Sequence, residues 1–383
     1  MTMFVCSRGA DPRREELDSA LAKIDVEHYL ERAGIDFTPS YGTRGLQLNL
    51  HECPVCGEGG RKTYINAETG LGNCFHGACG FKFNRFKLIR AVSGLSGGEL
   101  DAHIKATAED QGWMPKRERV ELVKADLELP SKLKPIPSPD GRNLAYLQNR
   151  GVTVETAQWF NLSFCKGGWW GYKLADGTQK WMNFDRRVII PIADLDGRLV
   201  SFQGRDITGT QEPKYMFPVG YAVAGSHLYN GHTFEQGRHT HAVVGEGAFD
   251  AIGIYQAITG AASCEGMLPV ATFGMHLSAG PDGQIAKFAE LKTRGLRVVT
   301  IMWDGEGKAL AEAVKAGLQL LALGLTVRIA RIPMGYDPAQ GPDNEPVPPE
   351  LVRQWIFQAT TLDRLTAIRL AAEASRMRAA EGA

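Results

Sequence analysis

The chain has 383 residues, 43 Lys+Arg against 43 Asp+Glu, 44% hydrophobic residues and 22% charged ones. That is an ordinary globular composition, long enough for two or three domains, and no run of about 18 apolar residues exists to span a membrane. The N-terminus turns charged before an apolar signal core can form, which speaks against secretion, and zero net charge, averaged over the chain, speaks against a protein coated for nucleic acid.

The first element is a helix over residues 24–34, periodic in its apolar residues and stopped by Gly34. Seven cysteines follow the chain, an odd number that fits a reducing cytoplasm better than a disulfide framework. Four cluster as Cys53-Pro-Val-Cys56 and, seventeen residues on, Cys74-Phe-His-Gly-Ala-Cys79. Two knuckles separated by a hairpin-length insert can set four thiolates tetrahedrally around zinc. The insert reads as a strand at Lys62–Asn66 and a turn at Glu68–Gly72, and Gly57 and Gly80 stand where a knuckle needs positive φ. Four buried cysteines without metal are the plain alternative. The wide second knuckle also leaves His76 as a substitute ligand for one cysteine.

The knuckle region is basic, with Arg61, Lys62, Lys82, Arg85, Lys87 and Arg90 against Glu58 and Glu68, and it carries Tyr64, Phe75, Phe81, Phe83 and Phe86. Cations for phosphates and rings for bases suit single-stranded nucleic acid, although Phe75 and Phe81 are expected to belong to the small core around the zinc. Residues 106–140 then change to a charged run at Lys116–Glu121 and to Pro130, Pro135, Pro137 and Pro139, which reads as an exposed tether. A helix from Leu144 closes at Gly151, and another starts at Thr153. A hairpin follows: strand Arg187–Asp194, turn Asp196-Gly197, return strand Arg198–Arg205. Arg186, Arg187, Arg205 and Lys214 sit in or beside it. They read either as ligands for phosphate or as solvated cations balanced by Asp185, Asp194, Asp196 and Asp206.

From His239 strands and helices alternate. The strands lie at 241–247, 268–274, 296–304 and 325–333 and the helices at 249–258, 283–294 and 308–323, the pattern of a doubly wound parallel sheet. Ligands of such sheets bind beyond the carboxyl ends of the strands. Glu246, Asp304, Glu306 and Asp337 fall there, with Asp250 one helical turn after Glu246. Converging acids repel unless cations intervene. Magnesium or manganese is the economical partner, and phosphoryl or nucleotidyl transfer the natural chemistry.

Glu246-Gly-Ala-Phe-Asp250, Thr272-Phe-Gly274, Asp304-Gly-Glu306 and Pro333-Met-Gly-Tyr-Asp337 resemble the TOPRIM motifs of DnaG-type DNA primases. The resemblance extends to Tyr146–Gly151, the Arg187–Arg205 hairpin, Pro213-Lys214-Tyr215 and the N-terminal zinc ribbon, covering about residues 20–340. It implies an enzyme that builds short RNA primers from ribonucleoside triphosphates on single-stranded DNA, serving a replicative helicase or DNA polymerase in the cytoplasm of a bacterium or phage-infected host. It also implies that Glu246, Asp250, Asp304, Glu306 and Asp337 hold the catalytic metal, with Glu246 also open to proton transfer. Arg187, Arg205, Lys214 and Tyr215 would engage nucleotide or template. Arg61, Lys62 and Lys82 on the ribbon would meet template. Two departures stand out: Glu306 replaces the usual second Asp, and Met334 an acid, which leaves the number of metals open.

The expected fold is α/β: a zinc-binding domain (1–105), a linker (106–140), an α+β subdomain (141–238), a TOPRIM sheet (239–345) and a C-terminal helical segment (346–383). Without a recognisable helicase-binding domain or Gly-Lys-Ser/Thr loop, a stand-alone, phage-like primase is expected. The competing readings are a TOPRIM nuclease and a non-catalytic zinc-ribbon DNA-binding accessory protein.

Overall fold

The structure, a computed structural model, describes residues 12–42, 45–111, 122–123, 126–211, 213–221 and 223–381. The chain divides into two compact units, residues 1–124 with 173–178, and residues 125–172 with 179–383.

The first unit begins with α1 (Pro12–Lys23) and α2 (Val26–Arg32). Asp25 caps α2 by accepting the His28 N–H at 2.9 Å. Five strands follow, β1 (Phe37–Gly42), β2 (Gly45–Leu50), β3 (Thr63–Asn66), β4 (Gly72–Cys74) and β5 (Lys82–Phe83), paired antiparallel in that order. Helix α3 (Arg85–Ser93) starts at Asn84, whose side chain accepts the Lys87 N–H, and α4 (Gly97–Gln111) follows. Leu30, Leu48, Leu50, Ile65 and Leu88 make one core over the sheet, and Ile24, Ile89, Leu100 and Ile104 make a second among the helices. The short β6 (Leu122–Val123) pairs with Lys173 and Leu174.

In the second unit β7 (Leu133–Pro135), α5 (Ala145–Asn149), α6 (Val154–Trp159) and β8 (Ser163–Cys165) lead to β9 (Trp169–Leu174) and β10 (Gln179–Asn183), two strands that the composition of their segment does not announce. The hairpin expected around Gly197 is present as β11 (Arg187–Ala193) and β12 (Leu199–Asp206). With β13 (Tyr215–Met216) it completes a sheet in the order β13-β12-β11-β8-β7. Alternation splits β11 cleanly: Val188, Ile190 and Ile192 face one core, and Ile189 joins Phe184 and Phe202 in another.

The expected tether needs correction. Its charged run lies outside the described residues, but Leu127, Leu129 and Leu133 pack against the Phe184 core, and Ile136 is buried beside Val188. Apolar residues between the prolines find a core. Pro135 is tolerated in β7 because that strand is an edge of its sheet.

The remaining elements are β14 (His241–Gly245), α7 (Ala248–Ile258), β15 (Met267–Ala271), α8 (Gln284–Thr293), β16 (Val298–Ile301), α9 (Gly307–Ala322), β17 (Thr326–Ile329), α10 (Pro349–Gln358), β18 (Thr360–Thr361) and α11 (Arg364–Glu381). The sheet order is β15-β14-β16-β17-β18, four parallel strands and one antiparallel edge. Ala242 and Val244 point into the core built with Phe288, Leu320 and Leu370, whereas Val243 points into that of Ile254, Val352 and Ile356. Both faces are covered, as a parallel sheet requires. Among the described residues no helix is long and apolar enough to cross a membrane. Phe288 is fully buried between α8 and the sheet, so Phe288→Ala is expected to cost about 3–5 kcal/mol in a denaturant titration.

Candidate metal centres

The first centre is the cysteine cluster. Cys53, Cys56, Cys74 and Cys79 bring their sulfur atoms within 4.8 Å of one another, a spacing that fits one tetrahedral zinc. Backbone bonds shape each knuckle: Gly57 N–H donates to Cys53 O (2.8 Å), Cys53 N–H to Glu58 O (2.9 Å) and Gly80 N–H to His76 O (3.1 Å). Gly57 and Gly80 adopt φ +70° and +55° in open space, so the left-handed backbone, not crowding, calls for glycine. Burial is the largest influence on Cys53, yet N–H donation from Cys56 and Val55 outweighs it and lowers the thiol to about 7. Burial and the neighbouring thiols push Cys79 up to about 12. Such crowding favours a cation among the sulfurs.

His76 stands beside this set. Its Nδ1 lies 3.1 Å from Cys74 Sγ and its Nε2 2.6 Å from Gly59 O. With four sulfurs already converged, it is placed as a hydrogen-bond neighbour of the cluster. Arg61, Lys62 and Lys82 are exposed on the same unit. Phe75, expected in the core, is instead 58% exposed and meets Tyr64 edge-on at 5.6 Å, because the knuckle turns it outward between two cysteines. Phe81 does pack partly into the core, against Phe83.

The second centre is the carboxyl edge of the parallel sheet. Glu246 follows β14, and Asp304 and Glu306 follow β16, with Glu306 at the N-cap of α9. Gly305 is pinned there: its N–H donates to Tyr336 O (2.9 Å), and a Cβ would lie 1.9 Å from Pro333 O. Asp337 closes its own turn by accepting the N–H groups of Ala339 (2.7 Å) and Gln340 (2.6 Å). Burial first, then Asp304 and Glu306, raise Glu246 to about 8, with Lys308 as the opposing cation. Burial and Asp337 with Glu306 raise Asp304 to about 7. Uncompensated anions of this kind fit a divalent cation. No three carboxylates among the described residues match the tight spacing of the cysteines, which suits an ion that takes few protein ligands and completes its shell with water and phosphate.

Asp250 has a different job from the one expected. It is buried, and its Oδ2 accepts the backbone N–H groups of Glu246 (2.9 Å) and Gly247 (2.7 Å). It shapes the β14–α7 turn that presents Glu246.

Beside this edge lies a stack of rings and guanidinium groups. Arg205 sits 4.5 Å from the centre of Tyr215 and 5.9 Å from that of Tyr146; Arg150 sits 4.4 Å from the centre of Phe249. Arg205, Arg150 and Asp250 all bear electrostatically on Tyr215, which ties the stack to the acids. Tyr146 and Arg150 were visible only as parts of a helix motif; nothing in their local pattern marks them as site residues. Lys214 is exposed next to Tyr215. Arg187, by contrast, is 2% exposed and donates to the carbonyls of Gly204 (3.1 Å) and Lys214 (3.3 Å). Strand alternation turns it inward, so it braces the β12–β13 segment and is withdrawn from nucleotide or template.

One zinc per chain is expected by metal analysis. Cys79→Ser should lose it and unfold the first unit, since structural zinc contributes roughly 10–16 kcal/mol in zinc-finger peptides. At the acidic edge the folded state holds protons more tightly than the unfolded chain, so charging these groups destabilises the fold. In buffer free of divalent ions the melting temperature should fall as pH rises from about 4.5 through about 8. Glu246→Gln should flatten that fall and gain about 2–4 °C at pH 8, read by thermal scans across pH.

A family model described as the DNA primase catalytic core, N-terminal domain, matches residues 170–219. The DNA primase of Myxococcus xanthus is 31% identical over 229 residues, 52% of this chain and 35% of the relative. Those of Deinococcus radiodurans and Geobacillus stearothermophilus are 29% and 27% identical, each over 75% of this chain and 52% and 51% of theirs. The chain thus spans about half the length, or less, of the curated relatives it matches. A solved Aquifex aeolicus primase structure, comprising zinc-binding and RNA polymerase domains, aligns with TM-score 0.47 and 19% identity over 94% of this chain and 90% of that one. By these sequence matches the chain is similar to DNA primases of the DnaG type.

Proposed function

We propose that the protein is a primase that joins ribonucleoside triphosphates into short RNA primers on single-stranded DNA, a nucleotidyl transfer whose product a DNA polymerase would extend. The observation that carries this reading is the juxtaposition of Glu246, Asp304, Glu306 and Asp337 at one sheet edge with the Arg150–Tyr146–Arg205–Tyr215 stack. The four acids would hold magnesium or manganese. When bound, the ion supplies charge neutralisation at the α-phosphate and the leaving pyrophosphate and activation of the 3′-hydroxyl.

The chain's own groups do the positioning. Arg205, 7% exposed and held between two rings with its Nε–H donated to Asp206 O (3.2 Å), keeps terminal N–H donors that suit phosphate oxygens. Lys214 adds an exposed ammonium beside it. Asp250 and Gly305 hold the two acid-bearing turns rigid, so that charge is preorganised before substrate arrives. On the first unit, exposed Phe75 offers a stacking face, and Arg61, Lys62 and Lys82 offer phosphate contacts for template.

Incorporation of labelled ribonucleotides on unprimed single-stranded DNA tests the reading. The wild-type chain with magnesium or manganese should make oligoribonucleotides, and Glu246→Gln should reduce them at least about a hundredfold while the protein stays folded. Arg205→Lys keeps the charge but loses the planar fork, and it should raise the KM for nucleotide more than it lowers kcat. Undiminished synthesis by Glu246→Gln would refute the assignment.

A further inference from the structure

The opposite, amino-terminal edge of the parallel sheet holds a cavity of about 420 Å³, within the range of small-molecule sites. It is walled by the α7–β15 connection, the segment from Asn230 to His239 and Trp159 at the end of α6. It shares no residue with the acidic edge.

Three side chains give it chemistry. Trp159 is half exposed and rests on Tyr255, ring centres 5.3 Å apart and 21° from parallel, so a second ring can add to a platform already built. His239 is 8% exposed, and its Nδ1 accepts the Glu235 N–H at 2.9 Å, which places the proton on Nε2. Burial lowers its pKa, keeping the ring neutral. Among the described residues that Nε2–H has no partner. Asn230 is 3% exposed and donates its amide to Pro269 O at 2.9 Å, leaving its Oδ1 without a partner among the described residues. A donor and an acceptor, each on a side chain more than nine-tenths buried, thus line one cavity beside an aromatic face.

Charge narrows the ligand. Glu235 and Glu265 line the cavity against a single Arg238, and Arg238 already bonds both carboxylate oxygens of Glu235, at 3.0 and 3.1 Å. Two acids against one cation, itself engaged with Glu235 through one nitrogen, make the cavity wall a poor host for a phosphate chain. We propose that this cavity binds a neutral nucleoside or free nucleobase, its ring stacked on Trp159 and its hydrogen-bonding edge read by Asn230 and His239. The site is separate from the one at which a triphosphate would react, and the inference does not depend on the primase reading.

Isothermal titration calorimetry of the full chain, without divalent metal or template, with adenosine, guanosine, cytidine and uridine in turn tests this. At least one should bind saturably in the millimolar range or tighter. Trp159→Ala, at a half-exposed position that should not disturb folding, should weaken that binding roughly tenfold or more, and Trp159→Phe should restore part of it. Absence of binding by all four, or equal binding by Trp159→Ala, would overturn the proposal. So would loss of binding in Glu246→Gln, which would assign the nucleoside to the acidic edge.

Discussion

Buried carboxylates gathered at one edge of a sheet repel one another, and the turns that bear them are built to hold them there against that repulsion. Burial and mutual proximity raise Glu246 to about 8 and Asp304 to about 7, so the folded chain stores unfavourable charge that a cation and a phosphate can relieve. The turns that bear the acids are accordingly over-determined. Asp250 ties down the backbone at Glu246 and Gly247, Gly305 lies too close to Pro333 for any side chain, and Asp337 accepts two N–H groups of its own loop.

The first unit solves a similar problem with sulfur. Four thiols within 4.8 Å cannot all ionise without a cation, and the difference between Cys53 and Cys79 shows how strongly they interact. There the sulfurs are tight enough for one ion to close the shell, whereas the carboxylates are looser. The sulfur spacing suits a structural zinc, and the looser carboxylates would suit an ion that completes its shell with water. The contrast also explains why a net charge of zero misleads. Anions are concentrated at one sheet edge, while exposed cations stand on the knuckles.

Much of this was readable in the residues. The cysteine spacing, the βα alternation from His241 and the acids at strand ends all follow from local periodicity, since hydrophobic pattern and turn chemistry act over a few residues. The Asp196-Gly197 hairpin and the helix stop at Gly151 were legible for the same reason. Arg187 was misread because an arginine at the start of an apolar strand looks exposed until the neighbouring strands cover it. Leu127, Leu129 and Ile136 were hidden by the prolines between them, and Phe75 by the expectation that rings near a metal knuckle pack inward.

What the sequence determined by itself is therefore the set of elements and the chemical type of each centre, because both are written in short-range spacing. Which acid presents itself and which merely braces a turn was decided by tertiary structure alone, as was which arginine faces a ring and which a carbonyl. Those roles depend on contacts between residues such as Arg205 and Tyr146, or Gly305 and Pro333, that lie far apart along the chain. No local pattern encodes the direction in which a side chain points once distant segments pack around it.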